Sequence, residues 1–210
     1  MISRALFTGL ILAGGLARRM QSDADDGSGS QEKGLAMLRG EPLVAHACRA
    51  LSPQVAVLRI SANRQVARYA HQAPVIADDP ALGTDLGPLA GVERGLATMD
   101  TPWLAVLPVD VLGVPADMVE RLAAGAKQAG APAAYAVTMA GEDETRAHPL
   151  CMVVRATLLG DLRRYLKQGD RKVFLWMRRI GAAPVLFEGE RVLANINTRA
   201  DLARAESGRA

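Results

Sequence analysis

A glycine- and arginine-rich segment follows the first apolar run of the chain. Gly14 and Gly15 permit a sharp turn whose backbone N–H groups can point at an anion. Arg18 and Arg19 add positive charge, and Lys33 adds more after a polar stretch. The segment has neither the Gly-Lys-Ser/Thr of a Walker A loop nor the G-x-G-x-x-G spacing. The pattern favours a phosphate-binding turn at the end of a strand; an ordinary glycine turn with solvated arginines is the alternative.

A carboxylate at the end of another apolar run is a candidate metal ligand. Residues 103–107 are apolar, and Asp110 follows them within Leu107-Pro108-Val109-Asp110. Mg²⁺ takes one or two protein carboxylates and fills its other positions with phosphate oxygens and water. Asp110 is therefore suited to hold Mg²⁺ beside a triphosphate. A turn or helix-capping aspartate before Pro115 explains the residue equally well.

Two further groups of polar residues could contact a small-molecule ligand. Asp78 and Asp79 follow a short predicted strand, where they would contact a nucleoside or form a turn before Pro80. Asn195 and Asn197 place two side-chain amides on one face of an extended segment. The alternative for the second asparagine is to cap the helix predicted from residue 199.

Several other chemistries lack the residues they need. The three histidines, at positions 46, 71 and 148, have no HxxxH spacing or cysteine partner, which argues against a zinc site. The chain has no G-x-S-x-G sequence, and Cys48 lies within a predicted helix, so a nucleophilic mechanism is not favoured. Two cysteines far apart in the sequence also argue against a disulfide-based scaffold.

Length and composition indicate a globular enzyme. The 210 residues suit a single α/β domain over 1–210, and 50% apolar content excludes a disordered chain. The net charge of +3 comes from charges spread along the chain, which argues against a nucleic-acid partner. The apolar segment 5–16 is shorter than the roughly 20 residues that span a bilayer and has no cleavage site after it. We therefore predict a cytoplasmic protein with no membrane contact.

Strand-like and helix-like segments alternate, which predicts an α/β fold with helices on the faces of a sheet. Strands are predicted over residues 6–12, 55–60, 75–77, 103–107, 134–138, 150–154 and 185–187. Helices are predicted over residues 42–51, 65–70, 88–98, 115–129, 158–167, 173–179 and 199–205. Residues 21–32 are polar and predict a mobile surface loop, and residues 141–146 predict a polar loop between two strands.

Taken in order, these motifs resemble the molybdenum cofactor guanylyltransferases, within the nucleotidyltransferases of Rossmann-like fold. The resemblance covers nearly the whole chain and implies a three-layer α/β/α architecture with a mostly parallel central sheet. It rests on the opening L-A-G-G-x-A-R-R-M, Lys33-Gly34-Leu35, Gly40-Glu41-Pro42-Leu43, Ser61-Ala62-Asn63-Arg64, Val75-Ile76-Ala77-Asp78, Gly87-Pro88-Leu89-Ala90-Gly91, Pro108-Val109-Asp110, His148-Pro149 and Asn195-Ile196-Asn197-Thr198. Three features depart from the family pattern. The twelve residues 21–32 follow Met20 and end in Glu32, where the family has an aspartate before Lys33; Ser61 replaces a common asparagine, and Val109 a frequent cysteine.

The resemblance implies transfer of GMP from GTP to the phosphate of molybdopterin, with Mg²⁺ as cofactor and pyrophosphate as product. Arg19 and Lys33 would neutralise the phosphates, Asp110 would hold Mg²⁺, and Ser61 and Asp78 would lie near guanine and ribose. The implied nucleotide-binding residues are Leu12, Ala13, Gly14, Gly15, Lys33, Ser61, Asp78 and Asp110. The implied pterin-side residues are Arg171, Lys172, Asn195 and Asn197.

Two other functions agree with the same residues. A cytidylyltransferase acting on the same cofactor would differ by a few hydrogen bonds around Ser61 and Asp78. A non-catalytic protein that binds nucleotide and delivers the cofactor would have no need to keep the metal carboxylate Asp110. In each case molybdoenzyme apoproteins or their chaperones are further expected partners.

Overall fold

Seven strands form the central sheet of this chain, of which a computed structural model describes residues 2–14, 32–83, 86–141, 144–189 and 192–207. The strands are β1 (Phe7–Leu12), β2 (Val57–Ser61), β3 (Val75–Ile76), β4 (Trp103–Pro108), β5 (Ala133–Met139), β6 (Thr145–Arg155) and β7 (Ala183–Phe187). Their order across the sheet is β7-β5-β6-β4-β1-β2-β3. Strand β6 runs antiparallel to both neighbours, and the other pairs are parallel. The predicted α/β fold with a mostly parallel sheet is confirmed.

Helices cover both faces of this sheet. They are α1 (Leu43–Leu51), α2 (Val66–Ala70), α3 (Pro88–Thr98), α4 (Met118–Gln128), α5 (Leu159–Lys167), α6 (Val173–Arg179) and α7 (Arg199–Glu206). Strand side chains alternate between two apolar cores, so Phe7 and Ile11 pack with α1 and α4, whereas Leu10 packs with α3, α5 and α6. Each fully buried side chain of this kind contributes about 1.5–3 kcal/mol. None of the described helices is long and apolar enough to cross a bilayer.

The strand order creates a crevice at one edge of the sheet. From β1 the chain runs to β2 and β3 on one side and then returns to place β4 on the other side of β1. At such a switch point the loops after neighbouring strands diverge, which leaves a ligand-binding cleft at their carboxyl ends. A short antiparallel ladder, in which Val111–Leu112 pairs with Ala194–Asn195, brings a late segment to the same edge.

Some predicted boundaries were wrong. The loop predicted over residues 141–146 is shorter, because Thr145 and Arg146 already pair with Met139 and Thr138 as the start of β6. The helix predicted from residue 115 begins at Met118, after a turn in which the N–H of Met118 donates to the carbonyl of Pro115 at 3.1 Å. Both differences arise from backbone hydrogen bonds that residue types alone do not specify.

Candidate active site

The carboxyl ends of β1, β2 and β4 are tied together by backbone hydrogen bonds just beyond the strands. The N–H of Val109 donates to the Leu12 carbonyl at 3.0 Å, and the N–H of Ala13 donates to the Ser61 carbonyl at 3.0 Å. Ala13 is buried, whereas Gly14 is exposed. The Leu12 carbonyl and the Ala13 N–H are used in these bonds between strands. Of residues 12–14, Gly14 is therefore the one with an exposed backbone that a ligand could reach.

Lys33, Asp110 and Asn197 meet at this edge. The Nζ of Lys33 lies 2.5 Å from Oδ2 of Asp110 and donates to Oδ1 of Asn197 at 2.8 Å. The two charged side chains are only 14% and 16% exposed, so solvent screens their attraction less than it would at the surface. An ammonium has three N–H donors. Two are used by these described partners, which leaves one for a further acceptor such as a phosphate oxygen.

Ser61 and Asp78 lie at the ends of β2 and β3. Ser61 is buried beneath α3, where a Cβ on Gly91 would come within 2.3 Å of its hydroxyl oxygen. The close approach of helix and strand therefore requires glycine at position 91. Asp78 is held by Asn63, whose Nδ2 donates to Oδ2 at 2.7 Å and whose Oδ1 accepts from the Asp78 N–H at 2.9 Å.

A cavity of about 420 Å³ opens beside Asp110 on the β6 side. Asn195 and Asn197 line it, together with the side chains of Arg146 and His148 from β6. This cavity places polar side chains of β6 and of the late segment around one space, next to the carboxylate predicted to hold the metal.

His148 is the buried polar group of this cavity. Its Nε2 lies 2.9 Å from the hydroxyl oxygen of Thr138, and its ring also hydrogen bonds with the Asn195 side chain. Burial lowers the pKa of His148 below its usual 6.5, the positive charge of Arg146 lowers this pKa further, and the bond to Asn195 partly opposes both. The imidazole is therefore neutral at pH 7 and can orient Asn195 without adding charge.

Arg171 and Lys172, predicted beside the pterin, are not among the described residues that line this cavity. Arg171 instead donates from Nη1 to the Leu166 carbonyl at 2.8 Å, at the end of α5. Lys172 is exposed, and the next residue, Val173, does line the cavity. The structure thus brings Lys33, Asp110, Asn195 and Asn197 together and leaves these two cations at the margin.

Some predictions fall on residues outside the described ranges. Gly15 and Arg19 are among them, as are residues 21–31 of the predicted loop. Glu32, the last residue of that predicted surface loop, is described, and for this residue the prediction of a surface position was wrong. Glu32 is only 4% exposed and pairs with Arg64 at 2.7 Å. A carboxylate can be buried when it is paired in this way, which a polar sequence does not reveal.

No group of three or more histidine, cysteine, aspartate and glutamate side chains among the described residues is placed to hold a metal ion, and Asp110 is the one carboxylate among those that line the cavity. That is the donor set Mg²⁺ accepts when a nucleotide supplies phosphate oxygens and water completes the octahedron. Asp110, partly exposed at the rim of the cavity, fits this requirement.

Three site residues were missed as candidates by sequence reasoning. Asn63 and His148 belong to quoted motifs but carried no predicted role, and Arg146 fell in a predicted loop. The signal for Asn63 was its position two residues after a buried strand; the signal for His148 was a histidine followed by proline within an apolar strand. Asn63 pairs with Asp78, which follows β3, and His148 pairs with Thr138 of β5, so both pairings are visible only in the fold.

The chain is thus an α/β protein with a mostly parallel sheet, whose switch point holds a lysine, a carboxylate and an amide in contact, at the place where such sheets bind ligands. Comparison with known proteins narrows the class. Residues 9–182 match the profile of the MobA-like NTP transferase domain. The chain therefore belongs to the MobA-like NTP transferase family and is a nucleotidyltransferase.

Individual relatives cover the same length. The chain is 39% identical to a molybdenum cofactor guanylyltransferase of Ralstonia nicotianae, over 96% of this chain and 97% of the relative. It is 40% identical to one of Bordetella pertussis, over 99% and 100% of the two chains. The crystal structure of molybdopterin-guanine dinucleotide biosynthesis protein A from Archaeoglobus fulgidus superposes with a TM-score of 0.68 at 25% identity, over 95% of this chain and 97% of that one.

Proposed function

We propose that this protein transfers GMP from GTP to the phosphate of molybdopterin and releases pyrophosphate. The observation that carries the proposal is the convergence of Lys33, Asp110 and Asn197 at the switch point of a chain in this family. Relatives named molybdenum cofactor guanylyltransferases, matched over nearly their full length, support the choice of nucleotide and acceptor.

The reaction is an in-line displacement at the α-phosphorus of GTP. An oxygen of the molybdopterin phosphate forms the new bond to that phosphorus, and the bond to the oxygen bridging to the β-phosphate breaks, so its electron pair leaves with pyrophosphate. No protein nucleophile is needed. Positioning and stabilisation of the developing charge supply the catalysis.

Lys33 and Asp110 divide the electrostatic work. Lys33 neutralises the phosphates: its ammonium, 2.5 Å from Asp110, can exchange that carboxylate for a phosphate oxygen when the triphosphate enters. Asp110 is then free to act as the protein ligand of Mg²⁺. When bound, Mg²⁺ would neutralise triphosphate charge and orient the reacting phosphate. We propose the same neutralising role for Arg19, and backbone contacts to the nucleotide from Gly14 and Gly15, because Leu12 and Ala13 already use backbone groups between strands.

Selection of the base and of the acceptor falls to opposite sides of this centre. We propose that Ser61 and Asp78, at the ends of β2 and β3, contact the guanosine. The cavity beside Asp110 suits the pterin, because the Asn195 and Asn197 amides each offer a donor and an acceptor to a heterocycle edge. Arg171 and Lys172 would then act at the margin, on the phosphate of the acceptor.

We also propose that the protein works in the cytoplasm and passes its product to molybdoenzyme apoproteins or their chaperones. Support for a reducing compartment comes from Cys48 and Cys151, which are free and buried. Burial raises the pKa of the Cys48 thiol to about 11, so this thiol stays protonated and unreactive.

The decisive test is an assay of pyrophosphate release with GTP, Mg²⁺ and molybdopterin. Asp110→Asn should lower turnover by roughly 100-fold or more, because the amide keeps the size but loses the charge that holds the metal. Asp100→Asn is a matched control, since Asp100 is exposed and precedes β4 at the opposite edge of the sheet. Unchanged turnover in the Asp110 variant would contradict the metal assignment, and GTP binding by wild type without pyrophosphate release would favour a delivery protein.

A further inference from the structure

Glu32 directly precedes Lys33 and is held from two sides. The Nε of Arg64 donates to its Oε1 at 2.7 Å, and the hydroxyl of Tyr69 donates to its Oε2 at 3.2 Å. Both carboxylate oxygens of this buried side chain are therefore bonded. A charge-assisted pair of this kind fixes geometry more strongly than a neutral one.

Tyr69 joins Glu32 to the end of β1. Its hydroxyl lies 3.3 Å from the carbonyl oxygen of Ala13 as well as 3.2 Å from Glu32. Burial and the nearby Glu32 charge raise the pKa of Tyr69, so the hydroxyl remains a donor at all ordinary pH values. The hydroxyl proton of Tyr69 is thus shared between Ala13, which directly follows β1, and Glu32, which precedes Lys33.

Gly34 fixes the other side of Lys33. A Cβ at position 34 would lie 2.7 Å from the Tyr69 hydroxyl oxygen and 3.1 Å from a methyl carbon of Val109. The backbone after Lys33 therefore packs between Tyr69 and the residue that precedes Asp110. Lys33 is flanked by two residues that both contact the same tyrosine.

The turn before α2 delivers Arg64 and Tyr69 to the same carboxylate. Gln65, which lies between Arg64 and the first residue of α2, has a φ of +50°. A side chain larger than glycine adopts this left-handed conformation at a conformational cost, which the surrounding contacts must offset. The turn is thus one whose geometry the contacts to Glu32 help to hold.

We propose that Glu32, Arg64 and Tyr69 are positioning residues that hold Lys33 beside Asp110 in the ligand-free protein, where its ammonium is placed to receive the triphosphate. The reactive role of Lys33 rests on the proposed function; the placement of its ammonium does not. Arg64 and Tyr69 bond to Glu32, and Tyr69 also packs against Gly34, so the backbone on both sides of Lys33 is fixed. None of the three side chains needs to touch the substrates.

The test compares Tyr69→Phe and Glu32→Gln with wild type in two independent measurements. Tyr69→Phe keeps the buried ring and removes the shared hydroxyl, whereas Glu32→Gln keeps the size but can accept from only one of its two donors at a time. Tyr135→Phe is the matched control, because Tyr135 packs in the other core, edge-on to Phe174. Thermal unfolding of each variant shows whether it is folded.

The first measurement is amine acylation of the ligand-free protein, quantified by mass spectrometry at Lys33 relative to the exposed Lys127 of α4. We expect the Lys33 rate to rise roughly tenfold in both variants, which is the scale of losing one hydrogen bond to a charged group. The second is pyrophosphate release, which should fall by a similar factor. A general loss of stability would not single out Lys33.

The outcomes separate this proposal from the function itself. Unchanged Lys33 acylation in folded Tyr69→Phe and Glu32→Gln overturns the positioning role, and so does faster acylation with undiminished turnover. Faster acylation in a protein whose wild type never releases pyrophosphate leaves the placement of Lys33 intact and contradicts the proposed function instead. The same change in Tyr135→Phe would also overturn the proposal.

Discussion

At the scale of single residues, the site combines an ion pair with a buried imidazole. Lys33 and Asp110 are partly buried and form an ion pair, with Nζ 2.5 Å from Oδ2. His148 is buried next to the cation Arg146, and its pKa is lowered. The same edge of the sheet therefore holds an ion pair and, beside it, a neutral imidazole that lines the cavity.

The neutral state of His148 predicts a pH dependence of stability. Because the folded chain lowers the pKa of this histidine below the usual 6.5, the unfolded chain binds its proton more readily. The contribution of His148 to the free energy of unfolding is complete above about pH 6.5. It is lost as the pH falls through the lowered pKa of the folded chain, with a slope of at most about 1.4 kcal/mol per pH unit. Wild type should thus lose more unfolding free energy than His148→Gln between pH 7.5 and pH 5.

Urea unfolding at the two pH values measures this difference. His71→Gln serves as control, because it removes an exposed imidazole from the loop after α2. If wild type and His148→Gln lost the same unfolding free energy, His148 would bind its proton equally well in the folded and unfolded chain, and the prediction would be wrong.

The sequence predicted residues whose chemistry is visible from their own neighbours. Asp110 after an apolar run and Lys33 in a family motif were identified, and the structure brings them together. The burial of Glu32 and the bond between His148 and Thr138 were not, because each depends on a partner from another strand or helix. A polar residue in a polar stretch gives no sign that an arginine and a tyrosine will cover it.

At the scale of elements, the packing of α3 against α5 contains a buried charge. Glu93 of α3 is 0% exposed and accepts from Arg163 of α5 at 2.8 Å, with Arg163 itself 43% exposed. The second carboxylate oxygen of Glu93, Oε2, has no hydrogen-bond partner among the described residues. The pair therefore links the two helices while leaving part of the desolvation cost of the carboxylate uncompensated.

Removing one partner of this pair should cost more than removing both. Arg163→Met leaves a buried carboxylate unpaired and should destabilise the protein by about 1–3 kcal/mol, less than for a fully buried pair because water already screens the guanidinium. The double variant Glu93→Leu/Arg163→Met should return to within about 1 kcal/mol of wild type.

Denaturant unfolding of the single and double variants gives the coupling directly. Arg164→Met is the control. Arg164 is more exposed than Arg163 and lies 3.5 Å from Asp161, a longer distance than in the buried pair, so its ion pair should contribute little to stability. Equal losses in the single and double variants would contradict the assigned role of the buried charge.

Helices and strands were largely predictable because their apolar patterns are local. Each predicted strand has a counterpart in the sheet, with shifts of a few residues at the ends. The ladder between Val111–Leu112 and Ala194–Asn195 was not predicted, since two-residue strands have no periodicity to detect. That ladder is nevertheless what carries the late asparagines to the site.

At the scale of the whole molecule, the sheet order decides where ligands bind. In the proposed function the nucleoside lies toward β2 and β3, and the acceptor lies in the cavity toward β6. Both bind the folded chain, so either ligand should stabilise the native state. A ligand at 100 times its dissociation constant contributes about 2.7 kcal/mol. For a chain of this size, that corresponds to a rise of about 5–10 °C in the unfolding temperature.

A thermal-unfolding panel with GTP, CTP, ATP and UTP tests this expectation. GTP should give the largest rise, and Mg²⁺ should increase it because the metal joins the triphosphate to Asp110. A rise with CTP alone would favour the cytidylyltransferase, and equal rises with all four nucleotides would contradict selection of the base. Asp110→Asn should keep the rise with GTP and lose the increase from Mg²⁺.

The contact between Lys33 and Asn197 spans 164 positions of the chain. A ribosome delivers a protein from its amino terminus, so the lysine and Asp110 emerge well before the asparagine does. A nascent chain can therefore assemble β1, β2 and β4 and still lack the ladder that brings Asn195 and Asn197 to them. Synthesis itself sets the order in which this centre is completed, because Asn197, the amide that Lys33 contacts, is among the last residues made.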